Sequence, residues 1–355
     1  MGAVNISLID LLERQEKLEE NEWIELLGTW GEDDRAYAAQ RAAAITSAVF
    51  GDSIFMRGLI EFTSYCKNDC LYCGIRHGNA NAARYRLTKD EILACCISGY
   101  ALGFRTFVLQ GGDDPWYTDK KMLEIITAIR KSYPDCALTL SIGERTRETY
   151  QAFFDAGANR FLLRHETADP AHYAQLHPRH MLAQDRQQCL RDLMEIGFQT
   201  GCGFMVGAPG QTPEHLARDF QFIRELNPHM VGIGPFIPHH NTPFKDQTAG
   251  SLELTLFLLS LVRIMCKNVL LPATTALSTV NERGRELGIL AGANVLMPNL
   301  SPQKVRDGYL LYDNKARTGI EAAEGMEQLE AQLLRIGRRP VVARGDWQPL
   351  RISSQ

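Results

Sequence analysis

From residue 54 to residue 300, strand-like segments alternate with helix-like segments eight times over, and few architectures accept that rhythm. The strand candidates are "IFMRGLIEF" (54–62), "RTFVLQ" (105–110), "ALTLSIG" (137–143), "RFLLRHE" (160–166), "TGCGFMVG" (200–207), "MVGIGPFI" (230–237), "VLLPATT" (269–275) and "ANVLMP" (293–298). Helical patterns fill the gaps near 88–102, 119–132, 146–156, 183–196, 213–226, 252–267 and 281–290. Some carry start signals. Thr88 with Glu91 three residues on is a capping box, and Thr212 before Pro213 suits a cap with proline in the first turn. Repeated βα units build a parallel sheet. Eight of them in about 250 residues predict an α/β fold of the closed (β/α)8 TIM-barrel type. The rival, an open doubly wound sheet, more usually has fewer strands and one Gly-rich nucleotide turn.

Residues 1–50 read as helices leading into the barrel, 54–300 as its strands and helices, and 303–338 as a last helical region. The tail after Arg338 reads as loop. No linker, low-complexity segment or charge block interrupts the chain, so one domain over 1–355 is expected. Hydrophobic residues make up 45% and charged residues 23%, enough for a sizeable core. The 38 basic and 42 acidic side chains are dispersed, and the net charge is -4. That gives no electrostatic case for nucleic acid or an anionic membrane surface. The opening "MGAVNISLIDLLERQEKLEENEW" lacks the basic-then-apolar order of a signal peptide and reads as an amphipathic helix. No window approaches the roughly 20 apolar residues of a membrane span. The expected location is the cytoplasm.

The nine cysteines are an odd number in a chain far larger than disulfide-stapled scaffolds. Six lie singly or as an adjacent pair in apolar contexts and read as small buried hydrophobes. Cys66, Cys70 and Cys73 crowd into "TSYCKNDCLYCGIR" (63–76), directly after the first strand candidate. In a barrel that loop lies at the C-terminal mouth, where active sites are built. A structural zinc site would want four ligands, normally from a second cysteine pair, and none exists; His77 is not at a usual spacing. A redox pair of Cys70 and Cys73 leaves Cys66 unexplained. A cubane iron–sulfur cluster usually takes four thiolates, so three would leave one iron open. The Cys-x3-Cys-x2-Cys loop, with Tyr72 just before the third cysteine, resembles that of the radical S-adenosylmethionine (SAM) superfamily. The resemblance implies that the amino and carboxylate groups of SAM chelate the open iron. It also implies that an electron from the reduced cluster breaks the sulfonium–carbon bond and yields a 5′-deoxyadenosyl radical.

Other segments fall at the same mouth. "LQGGDDP" (109–115) ends the second strand, either as a plain turn or as glycines that let the backbone approach a ligand. In "RFLLRHETADP", period-two alternation puts Arg164 and Glu166 on one side and His165 on the other. Opposite charges inside a barrel mouth are costly unless they pair or hold a ligand. Arg186 is either a solvated helix arginine or a carboxylate binder. His239 and His240 are adjacent, and an adjacent pair does not readily ligate one ion.

A narrower resemblance runs in order from about residue 54 to residue 312. "YCKNDCLYCGIR", "LLRHETADP", "GFMVGAPGQT", "MVGIGPFIPH", "PATTA" and "GANVLMPN" are similar to segments of the HydE family, radical SAM maturases of iron–iron (FeFe) hydrogenases. This implies one 4Fe–4S cluster on Cys66, Cys70 and Cys73. It implies SAM contacts from Tyr72, Gln110, Gly111, Gly112, Thr139, Ser141, Arg164, Glu166, Arg186 and Met205. A substrate cavity would involve Met230, Thr274, Thr275, Met297, Tyr309 and Tyr312. The implied substrate is a small organometallic or amino-acid-derived molecule, foremost a cysteine-bound iron carbonyl cyanide complex on the way to the di-iron subcluster. The implied partners are an electron donor of ferredoxin or flavodoxin type and other hydrogenase maturases.

Two departures stand out. The segment "YLLYDNKARTGIEAAEGM" has no cysteine where some members carry a second cluster, so one cluster is expected. The second-strand loop reads Gln110-Gly111-Gly112-Asp113 where the family often has Gln-Ser-Gly-Glu. The alternatives are an amino-acid mutase of methylornithine synthase type, a biotin synthase relative, and a non-catalytic iron–sulfur or zinc module. The mutase would want charged groups deep in the cavity, and the apolar, hydroxyl-rich ends of strands six to eight argue against it.

Overall fold

The computed structural model of the chain describes residues 2–315 and 322–350. Three helices come first: α1 (Gly2–Gln15), α2 (Glu20–Thr29) and α3 (Glu32–Phe50). Then follow β1 (Ser53–Met56), β2 (Gly58–Thr63), α4 (Lys89–Ala101), β3 (Thr106–Gly111), α5 (Asp119–Ser132), β4 (Ala137–Ser141), α6 (Arg147–Asp155) and β5 (Arg160–Leu162). The next run is α7 (Pro170–Leu176), α8 (Ala183–Ile196), β6 (Gln199–Cys202), β7 (Met205–Val206), α9 (Pro213–Leu226), β8 (Met230–Val231) and β9 (Gly234–Pro235). The chain continues through α10 (Leu252–Met265), α11 (Thr275–Val280), α12 (Gly284–Leu290), β10 (Val295–Leu296), α13 (Gln303–Arg306), α14 (Met326–Arg335) and β11 (Arg339–Val341).

The fold is α/β, and every strand pairing is parallel. The ladder is not one closed eight-stranded sheet. Six strands follow the order β2-β3-β4-β5-β6-β8, three follow β10-β1-β11, and β7 pairs with β9. Single bridges, Met230 to Leu270, Pro272 to Val295 and Leu59 to Asn299, carry the pairing between the two larger sheets. The segment 269–275 therefore forms no strand of its own. Pro272 has no N–H to give a ladder, which limits pairing there. The predicted strands 200–207 and 230–237 each break in two. They break where Gly203 and Gly232 touch: a Cβ on Gly203, at φ +147, would lie 1.9 Å from the Gly232 carbonyl oxygen. The strand predicted over 54–62 breaks at Arg57, with β1 joining one sheet and β2 the other.

The tail is not all loop. β11 pairs in parallel with β1, Ser53 opposite Arg339, and Arg338 Nη1 donates to the Gly51 carbonyl at 2.6 Å. Two short helices, α7 and α11, were not expected. The Thr88–Glu91 capping box closes in both directions. Helix α10 is buried on all sides from Thr255 to Met265 because it lies against α3 as well as the barrel. The one charge within that buried stretch, Arg263, donates to the carbonyls of Gly292, Lys267 and Val269 at 2.8–2.9 Å and to Asn294 Oδ1 at 3.0 Å. No described helix is long and apolar enough to cross a membrane.

Candidate active site

The loop after β2 carries Cys66, Cys70 and Cys73, all free and half-buried. Arg84 stitches it together, donating to the carbonyls of Ser64, Ile75 and Arg76, the last two at 2.8 and 2.7 Å. Gly112 N–H donates to Thr63 O at 3.2 Å, and Lys67 N–H to Asp113 O at 2.8 Å. The β3 loop thus lies directly on the cysteine loop. A Cβ on Gly112 would stand 2.1 Å from Tyr65 O and 2.7 Å from Cys66 Cβ, so this position has no room for a side chain. Gly112→Ala is expected to cost about 1–3 kcal/mol through overpacking and to lower iron uptake. Melting temperature and iron per chain after anaerobic reconstitution measure both; wild-type values for both would refute the tight packing.

Burial pushes the thiol of Cys66 up, that of Cys70 up to about 12, and that of Cys73 higher still, with the Cys66 sulfur adding to the last two and the Cys70 sulfur adding to Cys73. Left alone, such thiols stay protonated at neutral pH. A cationic metal centre reverses this, because coordination deprotonates the thiol. The sulfurs are not gathered for a single ion. A tetrahedral zinc with Zn–S near 2.3 Å would hold sulfurs about 3.8 Å apart. Among the described residues, the group whose ligand atoms all lie within 4.8 Å of one another is instead His239, His240 and Asp313. The wider cysteine set fits a multi-iron cluster.

The histidine group serves as a strap. His240 Nδ1 donates to Asp313 Oδ1 at 2.6 Å, and His239 Nδ1 accepts the Asn241 N–H at 3.1 Å. That acceptance leaves the proton of a neutral His239 on Nε2, which is 3.9 Å from Asp313. The pair ties loop 237–241 to segment 309–313, whose Leu311 carbonyl accepts the Gly74 N–H at 2.8 Å.

Beside the cysteine loop lies a cavity of about 320 Å³ at the C-terminal ends of the strands. Its wall includes Tyr72, Cys73, Gln110, Gly111, Ser141, Arg164, Glu166, Arg186 and Met205. It also includes Thr274, Thr275, Met297, Tyr309 and Tyr312. Five predicted site residues lie off this wall: Cys66, Cys70, Gly112, Thr139 and Met230. Thr139 is buried on β4 two residues before Ser141, and Met230 Sδ takes the Arg57 Nη1 at 3.0 Å while packing on Leu270 and Val295.

Arg164 Nη2 comes within 3.0 Å of Glu166 Oε2, yet these atoms and Arg164 Nε form no aligned hydrogen bond although all are buried. Thr139 Oγ1 and Thr274 Oγ1 are equally without partners. Buried polar atoms left open in this way cost about 1–3 kcal/mol each. A polar ligand with carboxylate, ammonium and hydroxyl groups in the cavity would satisfy those that line it, on Arg164, Glu166 and Thr274. Glu166 has φ +65, strained for a residue with a Cβ, and is held there by its N–H to Gly203 O at 3.0 Å. Arg186 is buried, not solvated, and donates to Glu144 Oε1 at 2.7 Å and Arg164 O at 3.0 Å. His165 points away from the cavity, with Nε2 3.3 Å from Asp219.

Several residues here were not singled out from the sequence. Glu61 and Lys315 line the cavity and form a buried ion pair, with Asn299 Nδ2 on Glu61 Oε2 at 2.8 Å. Glu144 orients Arg186, and His177 accepts the Tyr72 hydroxyl at 3.1 Å while its Nδ1–H goes to Tyr173 O. Burial, helped by the charge of Arg186, pushes His177 down to about 3 from 6.5. The unfolded chain therefore binds a proton that the folded chain refuses. Stability is full above about pH 6.5 and is lost as pH falls towards 3. Melting temperature against pH is expected to show this slope, and His177→Gln to flatten it; an unchanged slope would refute the neutral histidine.

The segment 309–326 has no cysteine, and its residues 316–321 lie outside the described residues.

A sequence profile described as the Radical SAM superfamily matches residues 60–223. The FeFe hydrogenase maturase subunit HydE of Thermotoga maritima is 44% identical over 265 residues, covering 75% of this chain and 75% of that protein. The 3-methylornithine synthase of Methanosarcina barkeri is 28% identical over 282 residues, 79% of this chain and 78% of that one. Among solved structures, methylornithine synthase superposes with TM-score 0.82 at 25% identity, covering 94% of this chain and 97% of that one. The FeFe-hydrogenase maturase HydG superposes at 0.80 with 18% identity, over 97% and 77%, a likeness of fold alone.

Proposed function

The chain belongs to the radical SAM superfamily, in the family of the FeFe hydrogenase maturase subunit HydE, and from that premise we propose that it acts on a cysteine-bound iron carbonyl cyanide complex during assembly of the hydrogenase di-iron subcluster. It is a radical SAM enzyme of hydrogenase maturation. The observation that supports the finer reading is the cluster of buried polar atoms without hydrogen-bond partners on Arg164, Glu166 and Thr274, which line the cavity beside the three-cysteine loop.

Cys66, Cys70 and Cys73 would hold one 4Fe–4S cluster, which with SAM bound supplies a 5′-deoxyadenosyl radical. Arg164 and Glu166 bind the carboxylate and ribose of SAM, and Arg186, clamped by Glu144, keeps the Arg164 backbone in place. Gln110, Ser141 and Thr139 offer side-chain donors and acceptors along neighbouring strands, and Gly111 and Gly112 let the β3 loop approach. Tyr72, tied to His177, and Met205 pack against the adenosyl part. Thr274 and Thr275 hydroxyls, with Met297, Tyr309 and Tyr312, form the substrate end, and Met230 packs behind it in the cluster that Met297 joins. The strap of 309–313 keeps water out of that end. The whole chain is read as one domain, served by a ferredoxin- or flavodoxin-type donor and exchanging substrate or product with other maturases.

Glu61 and Lys315 favour one second reading. Opposite charges inside the cavity are what a mutase would use to hold the amino and carboxylate groups of a lysine-like substrate. The test is anaerobic reconstitution with iron and sulfide, followed by SAM, a strong reductant and the cysteine-bound iron complex. All adenosyl products are then followed by mass spectrometry. An adenosyl–sulfur adduct that depends on the complex supports the maturase. SAM cleavage indifferent to the complex moves the assignment to an amino-acid substrate.

A further inference from the structure

Each SAM opened by such an enzyme needs one electron from outside, and the thiols face inward. The surface beside them is unusual for a chain of net charge -4. Tyr65, immediately before Cys66, and Trp116, in the loop after β3, are exposed aromatics at 36% and 43%. Arg86 stands 3.7 Å over the Tyr65 ring and 5.4 Å from Trp116, and Lys121 Nζ is 3.2 Å from the Trp116 centroid. Lys67, half exposed, follows Cys66 in the chain, and the exposed Lys120 precedes Lys121.

The nearby aspartates are already engaged, and one exposed glutamate, Glu124, lies beside Lys120 on the next turn of α5. Asp114 is buried against Arg86 at 2.7 Å, and Asp113 against Arg145 at 2.6 Å and Lys67 at 3.1 Å. Asp119 turns to the Thr149 hydroxyl at 2.7 Å. Lys120 and Lys121 occupy the first turn of α5, the positive end of a 14-residue helix, where cations are destabilising. Folding does not call for them there.

We propose that this cationic, aromatic face docks a small acidic electron-carrier protein that reduces the cysteine-held cluster; the proposal rests on the radical SAM reading above. In the step, the carrier is oxidised by one electron and the cluster is reduced by one, with no atom or proton transferred. Charge complementarity selects the occupant. An acidic carrier is repelled by the net charge of the chain as a whole and attracted to this face, which steers it to the residues next to Cys66.

The test is calorimetric titration of an oxidised bacterial 4Fe–4S ferredoxin into the reconstituted full-length protein at low and high salt. Lys120→Glu/Lys121→Glu is expected to weaken binding at least about tenfold, and salt to weaken it in the wild type. Trp116→Ala, which leaves the charges, is expected to weaken it several-fold. SAM cleavage driven by dithionite should be unchanged in both variants, while cleavage driven by reduced ferredoxin falls with affinity. No binding by the wild type, salt-independent binding, or wild-type affinity in both variants overturns the docking face. Failure of the wild type to cleave SAM with dithionite overturns the function instead, and the titration still judges the face.

Discussion

Cys66→Ala, Cys70→Ala and Cys73→Ala are each expected to reduce iron retention and 5′-deoxyadenosine formation to the no-protein background. Cys95→Ala and Cys96→Ala are expected to change neither. The contrast follows from position. Cys95 and Cys96 are buried at 5% and 0% exposure on α4, packed as small hydrophobes among Ile92 and its neighbours. The other three share one loop, and burial raises all three thiols. Only a bound cation makes three thiolates stable together there, so losing one thiolate removes charge and geometry at once. Iron per chain, the visible absorbance of the cluster and mass spectrometry of the nucleoside give three readouts. Full iron retention in any one of the three variants would remove that cysteine from the ligand set.

The helices were the legible part of the fold, and their chemistry shows why. α5, α8 and α9 fall on 119–132, 183–196 and 213–226, as the apolar spacing predicts, because each buries one apolar face, α5 and α8 against the sheet and α9 against α2. The strands were less legible because their breaks depend on contacts between distant glycines, as at Gly203 and Gly232. Helix α7 did carry a signal: Asp169 Oδ1 accepts the His172 N–H at 2.7 Å and Pro170 opens the first turn. Thr274 reads as a strand end but occupies the N-cap position of α11, which frees its hydroxyl towards the cavity.

The site shows the same division. Arg164 and Glu166 do meet, yet not by strand alternation. β5 ends at Leu162, and the positive φ of Glu166 turns its carboxylate back towards Arg164. Glu61 was legible in principle, as a charge on an apolar strand sharing the Leu59 side of β2. Lys315 was not. It reaches Glu61 across 254 residues, and nothing local to "YLLYDNKAR" announces the pairing.

Glu61→Ala is expected to destabilise the protein by about 3–5 kcal/mol, the cost of leaving a buried ammonium without its counter-charge. Among the described residues, Lys315 Nζ has only the Tyr309 carbonyl, at 3.0 Å, and the Tyr309 ring, at 4.7 Å, to fall back on. Asn299 loses its acceptor at the same time. Glu61→Leu combined with Lys315→Met should recover most of the loss, since buried ion pairs exchange for apolar groups of similar volume at little cost. Denaturant unfolding of both singles and the double gives the coupling, expected at about 2–3 kcal/mol. A coupling near zero would mean that the pair does not form. The functional consequence is separable from stability. Segment 309–315 supplies Tyr309, Leu311, Tyr312 and Lys315 to the cavity wall, and Leu311 O holds Gly74, next to Cys73. The apolar double therefore keeps the wall in place while removing the charges of this pair. If the substrate is held by amino and carboxylate groups at this pair, the double variant folds, binds iron, cleaves SAM and no longer responds to substrate. If it responds as the wild type does, the pair is a latch for the wall, and the substrate is read by the hydroxyls of Thr274 and Thr275.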